Sequence, residues 1–201
     1  MKFLAIDTSG KQLNVVAVNG ERQIVSRRGD CAMQHSVLLM DEIDEALKAA
    51  RLSPADCDFF ACVAGPGSFT GIRIGIATVK GLCLACQKPA LPLTSFDTLA
   101  YADKSERKLC LVDAGHGNFY ACGYSGVQVV LPPAFLSREA VEARIAEGFV
   151  PVAHTALFDG VRQADAAQGL LDAAVRKADG VCGAHALEAV YLRKSSAEEQ
   201  R

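Results

Sequence analysis

The chain has 201 residues, 21 basic and 23 acidic, for a formal charge of −2, and half of its residues are apolar. That balance suits a globular chain with a sizeable core and excludes a disordered or fibrous one. It also excludes a global field that would draw the chain to nucleic acid or to a membrane surface, so any RNA contact is expected to be local or made through a partner. The N-terminus, Met1-Lys2-Phe3-Leu4-Ala5-Ile6-Asp7, reaches a carboxylate too early for a signal peptide, and no run is read as long enough for the roughly 20 residues of a membrane span. The expected location is the cytoplasm.

Three short β-like runs open the chain, Lys2 to Thr8, Leu13 to Val18 and Gln23 to Arg28, separated by Ser9-Gly10 and by Asn19-Gly20, a strong hairpin signal. A helix is predicted from His35 to Ala50, with Leu39, Met40, Ile43, Ala46, Leu47 and Ala50 on one face. A strand over 59–64, a glycine-rich turn, a helix from about Ile72 to Cys86 and a short strand from Ala90 to Leu93 follow. This order, β-β-β-α-β-α-β, is a ribonuclease-H-like layout. A partial second copy is read over Leu109 to Asp113, Phe119 to Tyr124, Val127 to Leu131, a helix capped by Ser137, and a strand from Phe149 to Ala153. Two such lobes, 1–104 and 105–201, the second with a C-terminal tail expected to return towards the first, make the actin-like α/β architecture shared with sugar kinases and Hsp70-type ATPases. Helices are expected at 162–178 and 181–190, and the tail Ser195 to Arg201 is read as disordered.

The run from Gly65 to Gly75, Gly-Pro-Gly-Ser-Phe-Thr-Gly-Ile-Arg-Ile-Gly, carries the most information. Its glycines leave amides uncovered at a helix start, where an anion or a partner's carbonyls could dock. It is not a P-loop, which ends in Lys and Ser/Thr, and it lacks the Rossmann glycine spacing. A tight turn without a ligand is the other reading. Asp7-Thr8-Ser9-Gly10 and Asp113-Ala114-Gly115-His116-Gly117 occupy the places where the two-lobed fold holds nucleotide, so Asp7, Thr8, Asp113 and Gly115 are the candidate nucleotide residues. Alternatively the two aspartates only cap their own turns.

Histidines 35, 116, 154 and 185 form no metal-binding or hydrolase motif, and Ser68 has no nucleophile elbow. The eight cysteines lie scattered in apolar segments and read as small core residues. Cys83-Leu84-Ala85-Cys86 has the spacing of a redox or metal pair but no companion His or second pair. Between Ile72 and Cys86 the only charges are Arg73 and Lys80, and Gly71, Gly75 and Thr78 form a strip of small residues. A helix apolar almost all round points either to an interaction surface or to burial by the second lobe. The surface reading takes in His35, Leu38, Gly67, Ser68, Phe69, Thr70, Arg73, Gly75 and Thr78.

Asp7-Thr8-Ser9, the run from Gly65 to Gly75 and the ending Ala189-Val190-Tyr191-Leu192-Arg193 closely resemble the TsaB (YeaZ) family, a subunit of the bacterial machinery that makes N6-threonylcarbamoyladenosine on tRNA. The second lobe departs from it, with Asp113-Ala114-Gly115 where the family usually has Asp-Ala-Arg. The resemblance implies a non-catalytic partner of the catalytic paralogue TsaD and of the ATPase TsaE, acting in threonylcarbamoyl transfer to adenosine 37 of ANN-decoding tRNAs. It implies a heterodimer with TsaD, a homodimer when alone, and contact with tRNA only through the complex. TsaD carries a His-x-x-x-His metal pair, at whose places this chain has Ser95 and Leu99, so no metal and no required cofactor are expected, ATP or ADP being held at the interface with partners. An enzyme of the same fold, a glycoprotease-like peptidase or an independent ATPase, is the alternative.

Overall fold

The chain folds into two five-stranded mixed sheets, each covered by helices. The computed structural model describes residues 1–29, 31 and 34–193; the predicted disordered tail lies outside them. In the first sheet, β1 (Lys2–Asp7), β2 (Leu13–Asn19) and β3 (Arg22–Arg28) form an antiparallel meander through the Asn19-Gly20 turn, and β4 (Phe59–Val63) and β5 (Ala90–Leu93) add in parallel, giving the order β3-β2-β1-β4-β5. β1 is buried on both sides, and alternate residues serve different layers. Leu4 and Ile6 meet α1 (His35–Ala50) and α2 (Phe69–Cys86), whereas Phe3 and Ala5 meet α5 (Ala166–Arg176) on the opposite face.

Helix α1 has the predicted bounds, and its buried stripe is Leu39, Ile43, Ala46, Leu47 and Ala50; Met40, expected on that stripe, is 56% exposed. Helix α2 begins three residues before its predicted start, because Ser68 caps it, its Oγ accepting from Gly71 N at 3.2 Å. By length and composition α2 is apolar enough to cross a membrane, contrary to the expectation of no such run, but its stripe of Gly71, Ile72, Gly75, Val79 and Cys83 is packed onto the first sheet.

The second sheet, in the order β10-β9-β6-β7-β8, is formed by β6 (Arg107–Gly115), β7 (Asn118–Ser125), β8 (Gln128–Leu136), β9 (Val150–Ala153) and β10 (Arg162–Gln163). Strand β8 runs past its predicted end through Pro132 and Pro133; one proline nitrogen falls on the free side of this edge strand, and the register shift between Leu131 and Ala134 takes the other out of the ladder. Helix α4 (Arg138–Ala146), capped by Ser137, covers one face through Val141.

Helix α3 (Ser95–Ala102) was not predicted, although Thr94 and Asp97 form a capping box at its start. It covers the other face of the second sheet with Phe96, Leu99 and Ala100, and it also packs on α5. Through α5, residues 166–176 lie against the first sheet, so the stretch from 105 onward is not confined to the second. The helix expected over 181–190 is instead extended apart from one turn of 3-10 helix at Ala184–Ala186. Cys182 pairs with Ala90 at the edge of β5, and Val190 N donates to Ala64 O at 2.8 Å, so these backbone groups bond to the first sheet and not to each other.

Candidate functional site

A cleft with a volume of about 650 Å³ is floored by turns that leave the ends of strands in both sheets. From the first come Asp7, Ser9 and the segment Lys11 to Gln12; from the second come Asp113, the Gly115-His116-Gly117 turn and His154, which follows β9. The cleft thus brings together the two aspartate turns singled out in sequence, and each aspartate holds its own turn. Asp7 Oδ1 accepts from Ser9 N at 2.8 Å and from Ser9 Oγ at 2.6 Å, and Asp113 Oδ1 accepts from Gly115 N at 2.8 Å. His116, between Gly115 and Gly117, has φ of 54°, so three consecutive residues are left-handed in the second turn.

Thr8 does not face the cleft. It is fully buried, and its hydroxyl donates to Gly71 O at 2.7 Å, which corrects its expected role as a nucleotide residue. That contact explains the glycine run. A Cβ at Gly71 would come inside 3.0 Å of the Thr8 carbonyl, one at Gly67 inside 3.0 Å of Ser9 O, one at Gly75 would meet Thr8 Oγ1 at 2.6 Å, and one at Gly65 would meet Val190 O at 2.8 Å. Ser68 N donates to Ser9 O at 2.7 Å, so the carbonyl that this loop binds belongs to the chain itself.

The proposed interface residues therefore divide. Gly75 is buried against Thr8 and Cys62, which removes it from any partner surface: the small-residue strip lets α2 approach its own sheet. His35 is 2% exposed and also lies inside, its pKa lowered chiefly by burial. Leu38, Gly67 and Thr78 are half-buried, while Ser68, Phe69, Thr70 and Arg73 are exposed. Arg73 lies 3.7 Å over the Phe69 ring and donates to the Tyr191 hydroxyl at 3.1 Å, and Tyr191 stacks on Phe69 with centroids 5.0 Å apart.

His154 is the cleft residue that the sequence reading passed over. Its Nδ1 lies 3.2 Å from Ala164 O, which can only accept, so that nitrogen carries the proton; Nε2 lies 2.8 Å from Thr98 Oγ1. Burial lowers its pKa, although Asp7 and Asp165 pull the other way. The Thr98 hydroxyl also reaches Ser95 O at 2.9 Å, and Ser95 Oγ donates to Pro66 O at 2.6 Å while lying 3.2 Å from Ser9 Oγ. Polar contacts through Thr98 and Ser95 thus run from β9 to the glycine loop, the single Thr98 proton serving either Nε2 or Ser95 O. The signal available in sequence was position alone, a polar residue directly after an apolar strand, as Asp7 is after Ile6.

Ser95 and Leu99 offer no metal site, since the serine hydroxyl is engaged with Pro66 and the leucine is a core residue. Among the described residues no three His, Cys, Asp or Glu side chains are arranged to hold a metal ion.

Two mixed sheets flanked by helices and facing a cleft floored by paired aspartate turns define a two-lobed protein of the actin-like ATPase fold. A family model described as TsaD, tRNA N6-adenosine threonylcarbamoyltransferase, matches residues 27–148, more than half of the chain. The TsaB protein of Escherichia coli, named for tRNA threonylcarbamoyladenosine biosynthesis, is 30% identical over 128 residues, 62% of this chain and 55% of that protein. Its Bacillus subtilis counterpart is 32% identical over 100 residues, 50% of this chain and 44% of that one. The crystal structure of an uncharacterised protein with similarity to peptidase YEAZ from Pseudomonas aeruginosa superposes with a TM-score of 0.79 at 25% identity, over 96% of this chain and 99% of that one. YeaZ from Pseudomonas aeruginosa superposes with a TM-score of 0.78 at 23% identity, over 94% and 100% of the two chains, which speaks to the fold. The chain belongs to the TsaB (YeaZ) family, within the wider group that the family model describes. It spans about half the length of the curated relatives it matches.

Proposed function

We propose that the protein is a non-catalytic scaffold subunit in the cytoplasmic synthesis of threonylcarbamoyladenosine on tRNA, binding the catalytic paralogue TsaD and the ATPase TsaE. In this reading it pairs with itself when TsaD is absent and meets tRNA only through the complex. The observation that carries it is the outer side of α1 and α2. Val37 is 72% exposed, Met40 56%, Phe69 39% and Leu84 74%, while the opposite stripes of both helices are packed on the first sheet. Large apolar side chains gathered on one side of two adjacent helices are the composition of a protein–protein contact.

The cleft supports the non-catalytic half of the reading. Both aspartates are engaged by their own turns, the loop amide Ser68 N is bonded to Ser9 O, and the Ser95 hydroxyl is bonded to Pro66 O. ATP or ADP would then be held only where partners complete a site, and no cofactor belongs to the subunit alone. Light scattering of the chain alone and mixed with TsaD tests the contact. Val37→Asp with Met40→Asp should abolish both assemblies while circular dichroism stays unchanged; a folded double variant that still forms both would refute the placement. Turnover of ATP or of a peptide by the purified chain, lost on changing Asp7 or Ser95 in a folded variant, would establish the enzyme alternative.

A further inference from the structure

Three thiols from two distant segments meet at the C-terminal end of α2. Cys83 and Cys86 stand three residues apart in its last turn, a spacing that leaves Cβ atoms about 5–6 Å apart on one helix face. Beyond the helix the chain turns through Gln87, which is left-handed, and enters β5. The first residue of that strand, Ala90, pairs with Cys182 of the returning C-terminal segment, Ala90 N donating to Cys182 O and Cys182 N to Ala90 O at 2.8 Å each.

Residues directly opposite in an antiparallel pair send their side chains to the same face. Ala90 belongs to the core on the α1–α2 side, together with Cys83, Val79 and Leu187, whereas its neighbour Leu91 belongs to the core under α5. The Cys182 thiol is therefore on the α2 side, next to Cys83. The electrostatics agree: burial first, and then the neighbouring Cys182 and Cys86 thiols, push the Cys83 thiol up to about 11. Cys182 and Cys86 are half-buried and open to small reagents, while Cys83 is 2% exposed.

We propose that Cys182 and Cys83 form a reversible thiol–disulfide site which, by exchange with a low-molecular-weight disulfide of the glutathione type, ties the C-terminal segment to α2. The Cys182 thiolate attacks one sulfur of the small disulfide, whose S–S bond breaks, and the first small thiol departs with the bonding pair and takes up a proton. The Cys83 thiolate, its proton lost to solvent, then attacks the Cys182 sulfur and expels the second small thiol, which is protonated in turn. Two protein thiols are oxidised, one small disulfide is reduced to two thiols, and electrons and protons balance.

The consequence follows from where the segment goes. Beyond Cys182 it is bonded to Ala64 by Val190, its carbonyl there packs on Gly65, and Tyr191 stacks on Phe69 and accepts from Arg73 at the start of α2. A Cys83–Cys182 bond fixes one end of this strap over the glycine loop. The thiol exchange itself needs nothing bound in the cleft or on the α1–α2 face.

The test is incubation of the full chain with oxidised glutathione, then alkylation, intact-mass measurement and peptide mapping. The expected product has lost two hydrogens, two of its eight free thiols are consumed, and a peptide linking Cys83 to Cys182 is recovered. Cys182→Ser should abolish the link with an unchanged circular dichroism spectrum, and Cys86→Ser should retain it. Amide exchange over 183–191 should slow several-fold on oxidation and recover with dithiothreitol. Arrest at a glutathione adduct on Cys182, a link through Cys86, unreactive thiols, or exchange that does not slow would each overturn the proposal.

Discussion

Replacing Gly71 by alanine should destabilise the protein although alanine is the better helix former. The added methyl would come inside 3.0 Å of the Thr8 carbonyl oxygen, and the obstructing atom is backbone, so no flexible side chain can yield. Overpacking of this kind costs about 1–3 kcal/mol. Separating α2 from the Thr8–Ser9 turn also breaks the buried bond from Thr8 Oγ1 to Gly71 O, which leaves polar atoms unsatisfied at roughly 1–3 kcal/mol. The helix-propensity gain of about 1 kcal/mol offsets part of this. The net loss is about 1–5 kcal/mol, at mid-range a fall in Tm on the order of 10 °C for a chain of this size. Gly81 supplies the control within the same helix: it is exposed and an added Cβ meets nothing within 4 Å, so Gly81→Ala should gain up to about 1 kcal/mol. Urea denaturation of both variants at equal slope measures the two signs directly. A Gly71→Ala protein as stable as the parent, or two variants shifting in the same direction, would refute the claim that α2 is held at closest approach by the Thr8 backbone.

The lowered pKa of His154 sets a pH dependence. The unfolded chain takes up a proton on this ring as pH falls through about 6.5 while the folded chain resists it, so stability should decline from about pH 7 downward and the contribution should vanish above it. His154→Gln should flatten that slope in denaturation midpoints between about pH 7 and 5, and an unaltered slope would show that this ring is not the titrating group. Lys108 is 2% exposed, and its ammonium donates to Ala100 O at 2.8 Å and to Asp103 O, closing the C-terminal end of α3. Lys108→Met keeps the stem and removes the donors, so it should cost about 1–3 kcal/mol in chemical denaturation; no change would mean that water replaces them freely. Calorimetric titration of the isolated chain with ATP should give no measurable binding, whereas a Kd near 1 μM, about −8 kcal/mol, would show that the aspartate turns grip phosphate unaided.

Local chemistry made much of this protein legible in its sequence. Strands β1, β2 and β4 are near-continuous apolar runs because both faces are covered, the Asn19-Gly20 pair fits a hairpin turn, and α1 follows from its periodicity. The glycines from 65 to 75 announced a close backbone approach, yet only the folded chain reveals that the approaching groups are its own Thr8, Ser9 and Val190. The same limit placed Gly75 wrongly, since a stripe of small residues has one appearance whether it meets a partner's helix or the chain's own sheet, and Thr8, read as a nucleotide residue from its place beside Asp7, is instead buried against Gly71. Residues 181–190 were read as helix because alanine favours it, and pairing with Ala90 and Ala64, roughly 90 and 125 positions away, overrode that preference. His154 joined the cleft in the same way, through Thr98 on another element. Propensity and periodicity act over a few neighbouring residues, and those are the elements the sequence determined; closure of the cleft, the burial of Thr8 and the pairing of the returning strap with Ala90 and Ala64 depend on contacts between distant segments, which only the tertiary structure decided.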